Sequence, residues 1–341
     1  MKQLLQSLLP FIPYPYRGEF IPCNLCGSED KTVISSKDRR WKPLKTVACT
    51  ECGLMRTDPM PTEEELNRYY RDEYRFDYQL AGKRPPKFHL VRSMRDAKNR
   101  VTKLEDWLKP GARVLDVGCG TGEFLKLAKD RGCEVVGIEP GSSYAAFARS
   151  EYGIDVINSP WQDAELPQAS FDVITCNQVV EHLRDPMAAL AAMSDWLKPE
   201  GVAYISVPDM RPNSKPTFER FHFAHIYGFT PDTLHVAMAR TGLIAAQPDE
   251  LESTSTVFRK TDGDETITLP LQDQSRAEAL SAGYPNDTIV RYFFGGRYFR
   301  DTAHRFHKWR RDTFCEKKTQ TERQSHQHPE QPATLNTDAR A

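Results

Sequence analysis

The segment "VLDVGCGTGEF", Val114 to Phe124, decides the fold of this 341-residue chain. A β-branched run leads into three glycines at alternate positions, Gly118, Gly120 and Gly122, and a helix-like pattern follows. This order is typical of a nucleotide-binding turn, because glycine permits tight backbone geometry and close approach of a ligand. A dinucleotide site has the spacing Gly-x-Gly-x-x-Gly, and here Glu123 occupies the position of its third glycine. A carboxylate there repels a diphosphate and suits a ligand that has no phosphate and carries a positive charge.

The sequence after Ala112 alternates between strand-like and helix-like segments. The strand-like segments "RVLDVG", "EVVGIEP", "FDVITCN" and "VAYISVPD" are separated by helical patterns in "GEFLKLAKDRG", "YAAFARSEYG" and "AALAAMSDWLKPEG". This alternation predicts an α/β fold, a doubly wound parallel sheet with helices on both faces. A further helix is predicted in "FTPDTLHVAMARTG", and "LIAAQPDE" with "STVFRK" is predicted to close the sheet as an antiparallel pair.

S-adenosylmethionine (SAM) fits the glycine register, because it has an ammonium, a sulfonium and no phosphate. The segment "VLDVGCGTGEF" closely resembles the first motif of class I methyltransferases, and the resemblance covers residues 113–242. It implies a Rossmann-like fold in which the motif surrounds the methionine portion of SAM. It also implies that Glu139 accepts both ribose hydroxyls and that Asp163 contacts the adenine amine. The predicted cofactor-binding residues are Asp116, Gly118, Cys119, Gly120, Thr121, Gly122, Glu139, Pro140, Asp163, Asn177 and Gln178.

Four cysteines lie in two Cys-x-x-Cys pairs, Cys23 with Cys26 and Cys49 with Cys52. The two-residue gap lets both sulfurs of a pair face one ion, and four thiolates are typical ligands of tetrahedral Zn²⁺. Such a ligand set leaves no position for water or substrate, so the predicted zinc is structural. Four buried free cysteines or two disulfides are the alternatives.

Length and local composition predict several units, since one domain takes about 150 residues. The region around the cysteines is rich in turn residues and is predicted to be a small zinc-ribbon-like module of its own. The predicted divisions are a leader (1–20), the zinc-binding module (21–61), a helical linker or lid (62–110), the SAM-binding methyltransferase domain (111–262), a helical C-terminal extension (263–315) and a disordered tail (316–341).

Charge and hydropathy narrow the possible partners and location. Lys and Arg number 46 against 47 for Asp and Glu, so the net charge predicts no general attraction to nucleic acid or to an anionic membrane. No export signal and no membrane span are expected, because proline interrupts the short apolar N-terminal run. That run leaves a weak peripheral membrane contact open. The scattered cysteines outside the pairs favour the reducing cytoplasm.

The acceptor of the methyl group is expected over the carboxyl ends of the strands. Methyl transfer is an in-line displacement, and a base is needed when the acceptor carries a proton. His225, in "FHFAHIYGFT" after the fifth strand, is the predicted general base, and His222 precedes it in the same loop. Tyr74 and His182 are further candidates, although His182 with its neighbour Glu181 is expected chiefly to fix a helix start.

The layout also resembles a narrower group, bacterial methyltransferases with an N-terminal zinc-binding module. The resemblance lies in "CGLMRTDPMPTEEELNRYYRDEY", and it implies a role in sugar methylation or polysaccharide biosynthesis. Sugar C-methyltransferases of that group have His-x-His, whereas two residues separate His222 from His225. They also have a large additional C-terminal domain, for which this sequence is too short. The prediction is therefore transfer to a hydroxyl of a sugar, glycan or small metabolite.

Three alternatives remain at this stage. The first is carbon methylation of a sugar. The second is RNA methylation, with the zinc module and the basic stretch "RYFRDTAHRFHKWRR" binding phosphate, although the sequence lacks the base-methyltransferase signature Asn-Pro-Pro-aromatic after the fourth strand. The third is a non-catalytic scaffold that binds zinc and SAM. The intact cofactor motif disfavours it, because loss of Asp116, Gly118 or Gly120 is the expected mark of a degenerate site.

Overall fold

The computed structural model describes residues 13–39, 42–72, 85, 87–212 and 220–261. The predicted C-terminal extension and tail, most of the leader, and the candidate Tyr74 lie outside these residues. Among the helices that the structure describes, none is long and apolar enough to cross a membrane.

The described strands form two sheets. The first sheet has the order β1-β2-β3-β9, and all its pairs are antiparallel. Its strands are β1 (Lys31–Lys37), β2 (Pro43–Cys49), β3 (Met55–Thr57) and β9 (Tyr227–Gly228). In sequence, β9 lies between two strands of the second, larger sheet, so this N-terminal sheet is completed by the larger domain.

The second sheet has seven strands in the order β10-β11-β8-β7-β4-β5-β6. The pairs among β4 to β8 are parallel, and the pairs β10–β11 and β11–β8 are antiparallel. The strands are β4 (Arg113–Val117), β5 (Glu134–Ile138), β6 (Asp155–Ile157), β7 (Phe171–Asn177), β8 (Leu197–Ser206), β10 (Leu243–Ala245) and β11 (Ser255–Lys260). The predicted Rossmann-like sheet and its closing antiparallel pair are confirmed.

Six α-helices lie in the described residues. They are α1 (Glu63–Asp72), α2 (Lys87–Lys103), α3 (Glu123–Lys129), α4 (Ser142–Tyr152), α5 (Pro186–Trp196) and α6 (Pro231–Arg240). Helices α2, α3 and α4 share one apolar cluster with Val114 of the central strand. Helices α5 and α6 share the other cluster with Leu115 and Val117. Successive strand residues point to opposite faces, so this division confirms a doubly wound sheet.

Local capping explains where several helices begin. Thr62 and Glu65 form reciprocal hydrogen bonds at the start of α1. Thr230 and Thr233 do the same at α6, with Pro231 in the first turn. The helix predicted through "AALAAMSDWLKPEG" ends at Trp196, because β8 already begins at Leu197 and pairs there with β7.

The N-terminal module shares its hydrophobic core with the methyltransferase domain. Cys23, Leu25 and Cys49 belong to the apolar cluster that contains Leu115 and Leu234. The module is too small to bury a core alone, so it uses the α5 and α6 face of the larger domain. Cys23, Leu25 and Cys49 are therefore buried against the larger domain.

Candidate active site

The glycine loop connects β4 to α3 as predicted. Its backbone is left-handed at Gly118 and Gly120, with φ of 74° and 56°. A Cβ at Gly118 would lie 2.4 Å from the Val179 side chain, whereas a Cβ at Gly120 would meet nothing within 4 Å. The loop is therefore closed toward Val179 and open at Gly120. An open concave backbone is what a ligand in close contact with the loop requires.

Glu139 lies directly after β5, and its carboxylate reaches the glycine loop. It accepts hydrogen bonds from the backbone N–H of Gly120 at 3.0 Å and of Gly141 at 2.7 Å. Burial raises the pKa of Glu139 to about 7, because desolvation outweighs the two hydrogen bonds. The structure thus brings together the two predicted elements of the cofactor site, the loop and the acid after the second strand.

Asp116 is fully buried beneath the loop. Arg100 of α2 donates to its carboxylate at 3.2 Å, and the Thr175 hydroxyl donates at 2.5 Å. Burial raises the pKa of Asp116, and the Arg100 charge opposes that shift. Sequence reasoning missed Arg100 because the glycine motif does not include it, and only packing of α2 on α3 brings it to β4. The pair holds the start of the loop in place.

Glu123 was predicted to reject diphosphates, and the structure shows it as the first residue of α3. One carboxylate oxygen accepts from the Thr121 hydroxyl at 2.6 Å, and the other, Oε1, is buried and has no hydrogen-bond partner among the described residues. Burial raises the pKa of Glu123. A carboxylate that is buried without a partner is costly, so this oxygen is suited to a donor supplied by a ligand.

The remaining predicted cofactor residues differ in what they present. The Cys119 side chain packs against Gly137 inside the domain, which leaves only its backbone for a ligand at the loop. Pro140 is exposed directly after β5, and Asp163 is exposed at the end of a short 3-10 helix (Trp161–Asp163) that follows β6. Gln178 follows Asn177 at the end of β7 in a left-handed conformation and donates to the Ser206 hydroxyl at 3.2 Å.

The four paired cysteines converge as their spacing predicted. The Sγ atoms of Cys23 and Cys52 are 3.5 Å apart, and those of Cys26 and Cys49 are 3.4 Å apart. All four sulfurs lie within 4.8 Å of one another. Disulfide sulfurs are about 2.05 Å apart, whereas sulfurs that share a tetrahedral Zn²⁺ at about 2.3 Å are about 3.8 Å apart. The four thiols are free and fit a zinc ion.

The turn that carries Cys23 and Cys26 docks on the methyltransferase domain. Asn24 donates to Asp185, the N-cap of α5, and its side-chain oxygen accepts from the Met187 backbone N–H. Arg240 of α6 donates to the Leu25 carbonyl. The cysteine cluster therefore supports the start of α5, which directly follows the loop after β7.

Glu181, His182 and His225, named here the Glu-His cluster, meet at the carboxyl end of the sheet. The Nε2 atoms of His182 and His225 each lie 3.8 Å from Oε1 of Glu181. The two imidazole side chains are 18% and 22% exposed, whereas Glu181 is 1% exposed. Val179, which contacts Gly118, belongs to the same loop as Glu181. The cluster thus lies beside the cofactor loop and is open on the histidine side.

Burial controls protonation in the Glu-His cluster. It lowers the pKa of His182 to about 4 and the pKa of His225 well below its usual range. It raises the pKa of Glu181 to about 8. Both imidazoles are therefore neutral near pH 7, and each has a nitrogen lone pair available to accept a proton or to bind a metal.

The other catalytic candidates have different surroundings. His222 is buried, its ring centre lies 3.7 Å from that of His225, and its carbonyl accepts from the His225 backbone N–H. The Tyr70 hydroxyl lies 3.0 Å from Nδ1 of His182. Sequence reasoning gave Glu181 only a structural role, since its spacing to His225 in the chain does not show that they meet.

The fold and the cofactor loop define the class. A seven-stranded sheet of this order, with a glycine loop after its central strand and an acid after the next strand, has the Rossmann-like methyltransferase fold. Residues 89–247 match the family model described as "Methyltransferase domain". The match begins in α2 and ends just after β10, so it covers six of the seven strands, the glycine loop and the Glu-His cluster, and it leaves out β11.

Curated relatives of this segment are methyltransferases too. The chain is 39% identical over 111 residues to "Ubiquinone biosynthesis O-methyltransferase" of Hahella chejuensis (31% of this chain, 47% of the relative). It is 32% identical over 111 residues to the protein of the same name from Stutzerimonas stutzeri (30% and 47%). The chain spans about half the length of the curated relatives it matches.

Solved structures share the fold of the domain. A SAM-dependent methyltransferase from Mesorhizobium loti is 19% identical, with a TM-score of 0.38 over 46% of this chain and 94% of that chain. A SAM-dependent methyltransferase from Aquifex aeolicus is 19% identical, with a TM-score of 0.38 over 48% and 95%. Identities and TM-scores this low give no information about the acceptor.

Proposed function

We propose that the protein transfers a methyl group from SAM to a hydroxyl of a sugar, glycan or small metabolite. The observation that carries the proposal is the hydrogen bond between Glu139 and the open Gly120 backbone, within a domain that matches methyltransferases. It supports the proposal because it places a carboxylate for the ribose hydroxyls beside the space that the methionine portion needs. The printed name of the curated relatives, an O-methyltransferase, supports oxygen as the atom that is methylated.

The proposed cofactor site uses residues from three loops. Glu139 accepts the ribose hydroxyls, the Gly118 to Gly122 backbone contacts the methionine portion, and Asp163 contacts the adenine amine. When bound, SAM supplies an electrophilic methyl group on a sulfonium. Glu123 is suited to the cationic part of the cofactor, since its orphaned oxygen is buried next to the loop.

The proposed reaction is an in-line displacement on the acceptor side of the site. The acceptor oxygen attacks the methyl carbon, the carbon–sulfur bond breaks with its electron pair going to sulfur, and the hydroxyl proton leaves. Alignment of the reacting atoms supplies about 7–11 kcal/mol of the barrier reduction. We assign proton removal to the Glu-His cluster, with the neutral His225 as the group predicted to accept the proton.

We further propose one structural Zn²⁺ per chain, bound by Cys23, Cys26, Cys49 and Cys52. The convergence of four free thiols within 4.8 Å supports it, and the closed ligand set excludes a catalytic role for this ion. The zinc stabilises the turn that holds the start of α5.

The test is product mass spectrometry with isotope-labelled SAM. The full chain is incubated with a panel of sugar nucleotides, glycans, small phenols and tRNA, and Gly120→Val serves as the cofactor-site variant. A labelled O-methyl product that the variant does not form supports the proposal. Labelled methyl on carbon or on tRNA, or no SAM binding by calorimetry, would refute it.

A further inference from the structure

Glu181 is a buried carboxylate without a hydrogen bond. It is 1% exposed, and within the described chain neither of its oxygens has a hydrogen-bond partner. Leaving a buried carboxylate without a partner is costly, and such groups in proteins are paired or coordinate metals. His182 and His225 each have Nε2 at 3.8 Å from Oε1 of Glu181.

The second feature is the orientation of His182. Its Nδ1 lies 2.7 Å from the Ala224 carbonyl oxygen, which is an acceptor only. Nδ1 must therefore carry the proton, and Nε2 presents its lone pair toward Glu181. Metal-binding histidines in proteins have this arrangement, in which the far nitrogen donates to a carbonyl and fixes the ring.

We propose that Glu181, His182 and His225 bind a divalent metal ion next to the cofactor loop. The three ligand atoms lie within 4.8 Å of one another. Ligand atoms at about 2.0–2.2 Å from one tetrahedral ion are about 3.3–3.6 Å apart, so the ligand atoms need to approach one another by about 1.5 Å or less on loading. Two imidazoles and one carboxylate suit Mn²⁺, Fe²⁺, Co²⁺ or Zn²⁺ and differ from the four thiolates of the cysteine cluster.

The ion has room for a further ligand. Three protein ligands leave at least one coordination position open, and the two histidine side chains are partly exposed. The loop of Glu181 contacts Gly118 through Val179, so a ligand in the open position lies on the cofactor side of the sheet. The structure thus contains a site for a metal-bound hydroxyl beside the place proposed for the methyl donor.

This inference rests on the proposed function and specifies how the acceptor is activated. The ion binds the acceptor hydroxyl oxygen and lowers its pKa, so that the proton passes to solvent water. The oxygen then attacks the methyl carbon while the sulfonium electron pair returns to sulfur. His225 acts in this scheme as a metal ligand, whereas in a metal-free enzyme it would act as the general base.

The test is Mn²⁺ binding to the full chain loaded with one equivalent of Zn²⁺, which the four thiolates take up, measured by electron paramagnetic resonance. Mn²⁺ prefers nitrogen and oxygen ligands, so the cysteine cluster does not compete. We expect one bound Mn²⁺ per chain, with affinity lowered at least about tenfold in Glu181→Gln and in His225→Ala. His235→Ala is the matched control, because His235 is a half-buried histidine on α6 whose Nε2 donates to the Ser253 carbonyl, and the variant should bind Mn²⁺ as wild type does.

Two results would overturn the metal site. One is wild-type protein that binds no Mn²⁺, and the other is equal binding by wild type, Glu181→Gln and His225→Ala. Circular dichroism and SAM calorimetry of each variant show that it is folded. The labelled-product assay separates this proposal from the proposed function. O-methylation without Mn²⁺ binding rejects only the metal site. Mn²⁺ binding without any methylated product from the panel rejects only methyl transfer to a hydroxyl.

Discussion

Tyr227 of β9 pairs with Arg56 of β3, and through this pair the methyltransferase domain supplies the fourth strand of the N-terminal sheet. Arg56 is almost fully buried and donates to the Ile21 carbonyl, and the Tyr227 hydroxyl donates to the Arg184 carbonyl. The cysteine cluster and the loop after β7 are therefore parts of one packed region. Loss of zinc should therefore disturb the acceptor side of the active site.

Replacing one zinc ligand tests that connection. We expect Cys49→Ser to lose the bound zinc and to lower the midpoint of thermal unfolding, because thiolate-bound zinc contributes directly to folding. Methyl transfer should fall more than SAM affinity, since Asn24 supports the start of α5 and makes no contact with the glycine loop. Metal analysis, calorimetry and turnover measure the three effects.

Cys133→Ser is the control for this experiment. Cys133 is another buried free cysteine, and it contacts the Lys109 carbonyl on the far side of the sheet from the cluster. Its variant should keep the full zinc content. Unchanged zinc in Cys49→Ser would show that the cysteine cluster is not the metal site.

Gly120→Val should abolish SAM binding. A Cβ at Gly120 would have no heavy atom within 4 Å, so a valine side chain fits in the folded protein. It would occupy the space proposed for the ligand. Gly111→Val is a matched control, because Gly111 also has a positive φ, of 81°, and an empty Cβ position. Both variants incur backbone strain of about 1–3 kcal/mol, and only Gly120→Val should lose the cofactor in calorimetry. Equal binding by the two variants would place the cofactor elsewhere.

The affinity for SAM should fall as the pH drops below about 7. The pKa of Glu139 is raised to about 7 in the free protein, and the ribose hydroxyls bind its ionised form. Below that pH, the protein must release a proton before it binds, which weakens binding by up to about tenfold per pH unit. Above it, Glu139 is already ionised and the dependence should disappear.

Calorimetry from pH 5.5 to pH 8.5 checks this dependence. In Glu139→Gln, binding should be weaker and the part of the pH dependence that belongs to this carboxyl should be absent, while any titration of SAM itself persists. Wild-type affinity that follows the variant at every pH would exclude Glu139 from the cofactor site.

His225→Ala should separate catalysis from cofactor binding. We expect turnover to fall by about a hundredfold to ten-thousandfold, because the acceptor loses the group that activates its hydroxyl. SAM affinity should stay near that of wild type, since His225 lies on the acceptor side. His235→Ala should leave both quantities unchanged. Wild-type turnover in His225→Ala at neutral pH would assign proton removal to another group, and a parallel loss of cofactor affinity and stability would show that His225 is a packing residue.

Local sequence was sufficient for the features that depend on near neighbours. The register of Gly118, Gly120 and Gly122 predicted the loop, because backbone conformation and ligand approach are decided within a few residues. The two Cys-x-x-Cys pairs predicted a cluster of thiols for the same reason, and the period of the apolar residues predicted the doubly wound sheet.

Only the tertiary structure decided which distant residues meet. Arg100 reaches Asp116 because α2 packs on α3, and Glu181 meets His225 because the loops after β7 and β8 converge at one edge of the sheet. The separation of Glu181 and His225 along the chain carries no information about this contact. Sequence by itself therefore determined the fold class, the cofactor loop and the thiol pairs. The Glu-His cluster and the pairing of β9 with the N-terminal sheet depend on long-range packing. Such packing positions side chains through the burial of apolar surface and not through local sequence pattern.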